Sequence, residues 1–292
     1  MRAHLKSGSQ CTIWNRSSNK PIVTDLKAHG ARYEEDLVKA IERSQFLVLC
    51  LPDHERVYEC FNHASSEENL INAFAALKAV INLSNGTPGD AETMASWVRE
   101  RGAQLYISGA IMAGPDNIGD EETAFILYSG EVPSNMEGEI KDMIFILGRP
   151  DYVGPAIGNA QLNNNASLAA TYSLFAGVML SSSILAKANQ GTGQQSGRIT
   201  KPFQSYVTPL LRPAIDEVDG LARSIEDDNE DAQGAAASMI SASLRNLSRT
   251  CKELGVDGSA MDHLWKLCSE VVNDGDDGKG MVAVAKKMMK RP

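Results

Sequence analysis

The chain is short of positive charge and of paired cysteines, and each shortage closes off a class of function. Its 28 Lys and Arg are outnumbered by 37 Asp and Glu, for a net charge of −9. A general nucleic-acid binder needs clustered cations, so that role is excluded, while a local basic pocket for one anionic ligand is not. The five cysteines, Cys11, Cys50, Cys60, Cys251 and Cys268, are odd in number, scattered and free of any CxxC. They supply neither a disulfide framework nor a zinc site, and they suit a reducing, cytoplasmic compartment. The histidines lack ligand spacing and "DGDDGKG" lacks the Glu of a calcium loop, so no metal is expected. The opening residues do not read as a secretory signal. A dinucleotide fingerprint is missing too: "GTGQQSG" has the wrong spacing for GxGxxG and no strand before it.

What is there begins with alternation. "QCTIWNRS" (Gln10 to Ser17), "FLVLCLP", "AVINLSNGTP", "QLYISGAIM" and "AFILYSG" read as strands, with helical spacing between them, as in "EEDLVKAIERS" and "GDAETMASWVRERG". Continuous apolar runs mark strands buried on both faces. The alternation predicts a mostly parallel, doubly wound sheet over residues 1–148. From Asn163 onward long helical periods take over, which predicts an all-helical second domain. The stretch "SLAATYSLFAGVMLSSSILA" is long enough for a bilayer, but it is mostly small residues and hydroxyls. It is expected as a helix buried between domains, and no membrane partner is expected.

Three turns could carry chemistry. "WNRSSNK" follows the strand that would face an adenosine ribose in a dinucleotide fold. Arg16, Ser17 and Lys20 stand where an acidic residue would bind the 2′-hydroxyl of NAD. A guanidinium, a hydroxyl and an ammonium suit a 2′-phosphate; a solvated basic turn has the same composition. "NLSNGTPGD" puts Asn85 and Gly86 at the carboxyl edge of the sheet, where ligands of open α/β sheets bind, although Asn-Gly and Thr-Pro also make ordinary turns. "SGAIMAGPDNIG" could wall an apolar pocket or serve only as a connection.

Taken together, "TIWNRS…K", "CLPD", "INLSNGTP", "GAIMAGP…IG" and "FILYSG" keep one order and spacing. This resembles the imine reductase and reductive aminase family, a branch of the β-hydroxyacid dehydrogenases with a 6-phosphogluconate dehydrogenase-like NADP-binding domain. "VTPLLRPAIDEVDGLARSIEDDNEDAQGA" and "CKELGVD" extend the resemblance over nearly the whole chain. It implies an α/β Rossmann-like domain (1–148), a connection and interdomain helix (149–190) and an all-α C-terminal domain (191–292). It implies a homodimer with interlocked helical domains, NADPH as cofactor, and hydride transfer to the C=N bond of a small apolar substrate, met as an imine or as a carbonyl and amine. Asn15, Arg16, Ser17 and Lys20 would bind the cofactor, the last three at its 2′-phosphate. Leu51 and Pro52 would line the nicotinamide side, and Asn85 would sit near the nicotinamide ribose. Met112 and Gln233 would face the substrate. The proton donor on the interdomain helix would be Tyr172, or Ser173 if the alignment shifts by one; the two point about 100° apart. No Lys stands on that helix before Lys187, which disfavours alcohol oxidation.

The resemblance also matches Gly8 to the glycine before the second strand, which puts Met1 inside the first helix. About 15–20 residues of the family pattern, a strand and its GxGxxG turn, then have no counterpart. That strand would lie inside the sheet, and each buried backbone group left unpaired costs on the order of 1–3 kcal/mol. Three expectations follow: a native start further upstream, another segment in the gap, or a non-redox member (scaffold, binding protein or cyclase-like) that does not bind NADPH.

Overall fold

A computed structural model describes residues 1–64, 66–190, 196–230 and 234–290. The chain divides into two compact units, Met1–Ala169 and Ala170–Pro292.

The first unit alternates helix and strand. Its elements are α1 (Arg2–Lys6), β1 (Thr12–Ile13), α2 (Pro21–Ala28), β2 (Arg32–Tyr33), α3 (Leu37–Glu42), β3 (Phe46–Leu49), α4 (His54–Phe61) and α5 (Glu67–Ala75). There follow β4 (Ala79–Asn82), α6 (Pro88–Glu100), β5 (Tyr106–Met112), β6 (Phe125–Ser129), α7 (Glu137–Phe145), β7 (Arg149–Tyr152) and the start of α8 (Asn159–Ala188). Strands β3-β4-β5-β6-β7 form one sheet, parallel except at the β5–β6 pair. All four residues of β4 are buried, as a strand covered on both faces requires. The pleat sends Val80 into a cluster with Leu70, Phe74, Met94 and Val98, and Ile81 into one with Ile107, Ile126, Ile140 and Ile144.

The Rossmann-like α/β fold followed by helices is as the sequence predicts, with differences in detail. Strand β1 is two residues long, much shorter than "QCTIWNRS", and it pairs in parallel with β2. Among the described residues β1 pairs only with β2, and β3 only with β4. Helix α1 touches both pieces: Ala3 packs on the Ile81 cluster, and Leu5 on Ile13, Val23, Leu26 and Ala31. Strand β7, "RPDY", carries a proline and two charges and gives no strand signal. It lies at the sheet edge, paired only with β6, where a missing N–H is tolerated.

The second unit is helical throughout its described residues. After the remainder of α8 come α9 (Thr200–Pro202), a π-helical turn (Phe203–Val207), α10 (Thr208–Asp216), α11 (Val218–Glu226), α12 (Ala237–Leu254), α13 (Asp262–Asn273) and α14 (Met281–Met289). Ala237, Leu267, Cys268, Val271, Ala283 and Val284 make its core. One expectation is corrected here: α8 is not buried within the chain. Only 6% of its most apolar 18-residue window is buried, and Tyr172, Phe175 and Met179 are mostly exposed. A helix with apolar residues on every side needs more neighbours than the described residues supply. By length and composition alone it could cross a membrane.

Candidate functional site

Two turns at the carboxyl ends of parallel strands carry the candidate residues of the first unit, the side of an open α/β sheet where ligands bind. The first follows β1. The Trp14 indole N–H donates to the Glu35 carbonyl at 3.1 Å, which ties the end of β1 to the segment after β2. The Asn15 side-chain oxygen accepts from the Ser17 N–H at 3.1 Å, and the Tyr33 hydroxyl donates to the Asn15 carbonyl at 3.3 Å. Beside this turn lies a cleft of about 570 Å³, lined by Trp14, Asn15, Arg16, Ser18, Tyr33 and Glu35 among others. Ser18 lines it rather than Ser17, and Lys20 sits at the N-cap of α2.

Arg16 is exposed and makes no ion pair among the described residues. Of the nearby carboxylates, Asp36 caps α3 by accepting from the Val38 and Lys39 N–H groups at 2.9 and 3.3 Å. Glu34 is engaged with Arg43. Glu35 lines the cleft as well; the cleft's cationic side is the Arg16 guanidinium with the Ser18 and Tyr33 hydroxyls, donors of the kind a phosphoryl group takes.

The second turn follows β4 and is gripped from several sides. The Ser84 hydroxyl accepts from the Leu51 N–H at 3.0 Å, which joins the turn after β3 to the turn after β4. Thr87 and Asp90 form a capping box that starts α6. From above, the first turns of α8 reach down. Gln161, fully buried, donates to the Ser84 and Gly109 carbonyls at 3.1 and 3.0 Å and accepts from the Gly86 N–H at 3.1 Å. Asn164, 3% exposed, donates to the Asn85 side-chain oxygen at 3.3 Å, and Asn165 donates to the Gly86 carbonyl at 3.0 Å. The helix can come this close because residue 158 is glycine: a Cβ there would lie 2.8 Å from Pro88 Cβ.

From below, the buried His54 ring supports Gly86. A Cβ on Gly86 would sit 3.0 Å from His54 Cδ2. His54 Nδ1 lies 3.1 Å from the Asp90 carbonyl, which can only accept, so Nδ1 carries the proton. Asn82 then links Tyr106 and the Ser84 N–H, at 3.1 and 3.0 Å. Burial pushes the Tyr106 phenol well above its ordinary range, so it stays neutral.

The structure thus gathers Asn15 and Arg16 at the first turn, and Leu51 and Asn85 at the second. Pro52 is exposed beside Leu51. Met112, the last residue of β5, is half-buried in a cluster with Phe125, Val153 and Ala160. Tyr172 lies in the second unit, 63% exposed. Gln233 falls outside the described residues. The amides of "QLNNN" and His54 escaped sequence reasoning. Their signal was a polar cluster at positions i, i+3 and i+4 opening an otherwise apolar helix.

Comparison with known proteins agrees with this architecture. Residues 1–122 match the family model of the NAD binding domain of 6-phosphogluconate dehydrogenase. The NADPH-dependent reductive aminase of Aspergillus oryzae is 29% identical over 287 residues, 96% of this chain and 90% of that protein. The reductive aminase of Aspergillus terreus, solved with NADPH and ethyl levulinate, is 30% identical with a TM-score of 0.82, covering 98% of this chain and 93% of that one. An imine reductase of Aspergillus terreus, also 30% identical, superposes with a TM-score of 0.79 over the same shares. A Rossmann-like domain of this type, helices after it, and this likeness along nearly the full length place the chain in the imine reductase and reductive aminase family.

Proposed function

We propose that the protein is an NADPH-dependent oxidoreductase that reduces the C=N bond of a small substrate, met as an imine or as a carbonyl and an amine. The uncommitted Arg16 at the mouth of the first cleft is the observation that carries the cofactor side of this reading. NADPH, when bound, supplies the hydride. Arg16, with Ser17, Ser18 and Lys20 close by in the chain, neutralises the 2′-phosphate, and Asn15 shapes the turn that presents them. Leu51 and Pro52 line the nicotinamide side, and Asn85 holds the nicotinamide ribose. Met112 supplies an apolar wall for the substrate, and Gln233 a polar contact to its amine. Tyr172 holds a proton at its phenolic oxygen and donates it, or a hydrogen bond, to the substrate nitrogen, which raises the electrophilicity of the carbon.

Support for a homodimer comes from the apolar surface of the second unit: Tyr172, Phe175, Met179, Tyr206, Leu210 and Val218 are all more than half exposed. Apolar area on this scale marks an interaction site, and a second copy is the proposed cover. Five free cysteines fit a cytoplasmic setting.

The test is a titration with NADPH and NADH, followed by fluorescence and by thermal shift. NADPH-selective binding, and NADPH consumption on adding a cyclic imine, are expected. Absence of NADPH binding overturns the reading. Light scattering that finds only single chains overturns the dimer.

A further inference from the structure

We propose that Gln161 is a positioning residue for the nicotinamide half of the cofactor, acting through the turn Ser84–Gly86. This rests on the NADPH reading above. One carboxamide, with no exposed surface, satisfies three backbone groups, two in the turn after β4 and one in the middle of β5: the Ser84 carbonyl and Gly86 N–H, and the Gly109 carbonyl. Asn82 also links this turn to β5, but it does so through the Tyr106 hydroxyl and not through the β5 backbone. Asn165 takes the Gly86 carbonyl and Asn164 takes the Asn85 side chain, so the turn has little freedom left. The His54 ring beneath Gly86 closes the remaining direction. The consequence is geometric. The height of Asn85 above the sheet follows the Gln161 carboxamide, and so does the register of α8 against the β4 turn and the middle of β5. A buried amide holding three backbone partners in a protein interior is costly to unpair. Removing it leaves two carbonyls and one N–H without partners, and the turn has to shift towards water to find them.

The adenosine half of the cofactor should not sense this, because Trp14 and Asn15, which shape the turn that carries Arg16, are held by a different set of bonds. The experiment exploits the separation by comparing two ligands, NADPH and the fragment 2′,5′-ADP, on the full chain. Gln161→Leu keeps the volume and removes all three bonds. It should weaken NADPH by about tenfold or more while leaving 2′,5′-ADP within about twofold. It should also lower kcat more than it raises the KM of the imine. NADPH affinity unchanged, or both ligands weakened alike, overturns the proposal.

Should Gln161→Leu fail to fold, Gln161→Glu serves. The introduced carboxylate can accept from the Gly86 N–H but meets two carbonyls without a proton to offer. Its protonated form can donate to one of them. NADPH affinity relative to 2′,5′-ADP should therefore recover as pH falls in this variant and not in the wild type. A ratio that follows the same pH course in both proteins overturns the positioning role. Wild-type protein that binds neither ligand overturns the NADPH reading itself, and this inference with it.

Discussion

The turn after β1 and the turn after β4 both sit at carboxyl ends of parallel strands, yet they are built on opposite plans. The first is held by few bonds and leaves its guanidinium in solvent. The second is fixed by a fully buried glutamine, two asparagines, a serine, a capping box and a histidine ring. The difference fits the roles proposed for the two turns. A phosphoryl group is recognised by charge, which acts over several ångströms and tolerates a mobile side chain. A ring that must hand over hydride needs its neighbours within a fraction of an ångström, which only a buried, satisfied network secures.

Four substitutions separate the two plans. The largest effect is expected for Arg16→Ala: loss of a charge-assisted contact worth about 1.5–3 kcal/mol should weaken NADPH roughly 10- to 100-fold in a titration, with NADH hardly affected. Equal loss for both would show that the first turn does not read the 2′-phosphate. Gly86→Ala comes next. Its Cβ would press on the His54 ring at 3.0 Å, so denaturant unfolding should show about 1–3 kcal/mol of lost stability. A neutral result would mean that the second turn is looser than its bonds suggest. Thr87→Ala removes half of the capping box and should cost about 1 kcal/mol in the same assay, with 2′,5′-ADP affinity intact.

The fourth substitution acts on α1, and only below pH 6.5. His4 is buried with neither ring nitrogen partnered, and burial, helped by the nearby amino terminus, lowers its pKa to about 4. The ordinary value is about 6.5, so between those values the unfolded chain takes up a proton that the folded chain refuses. Stability should be flat above pH 6.5 and decline from there towards pH 4. Denaturant unfolding across that window should show the decline, and His4→Phe should flatten the response.

Much of this was legible beforehand, for identifiable reasons. Strands announced themselves as apolar runs: "FLVL" and "AVIN" became β3 and β4, though only β4 is buried at every residue, and Phe46, Leu47 and Val48 of β3 are half-buried. Thr87 and Pro88 marked the start of α6 because cap chemistry is local. Arg16 was singled out because an arginine after a second strand has a known stereochemical use, and the structure places it in the wall of a cleft. The edge strand β7 was hidden because edges tolerate proline and charge. The grip of Gln161 was hidden for a different reason. Its three partners are 52 to 77 residues away in sequence, and hydrogen bonds over that distance leave no periodic trace. The exposure of α8 was misjudged because small and apolar residues read as buried whether the same chain or another covers them.

Of the three tryptophans, Trp14 and Trp97 give the first unit two internal lamps with different views, best read in a variant that lacks Trp265. Trp14 stands in the wall of the first cleft, its indole tethered to Glu35. Trp97 is enclosed by Phe61, Phe74 and Tyr58, with the Arg101 guanidinium 3.7 Å above its ring. Emission from the former will answer to whatever enters the cleft, and emission from the latter to the integrity of the core, so occupancy and unfolding can be followed in one cuvette without a label.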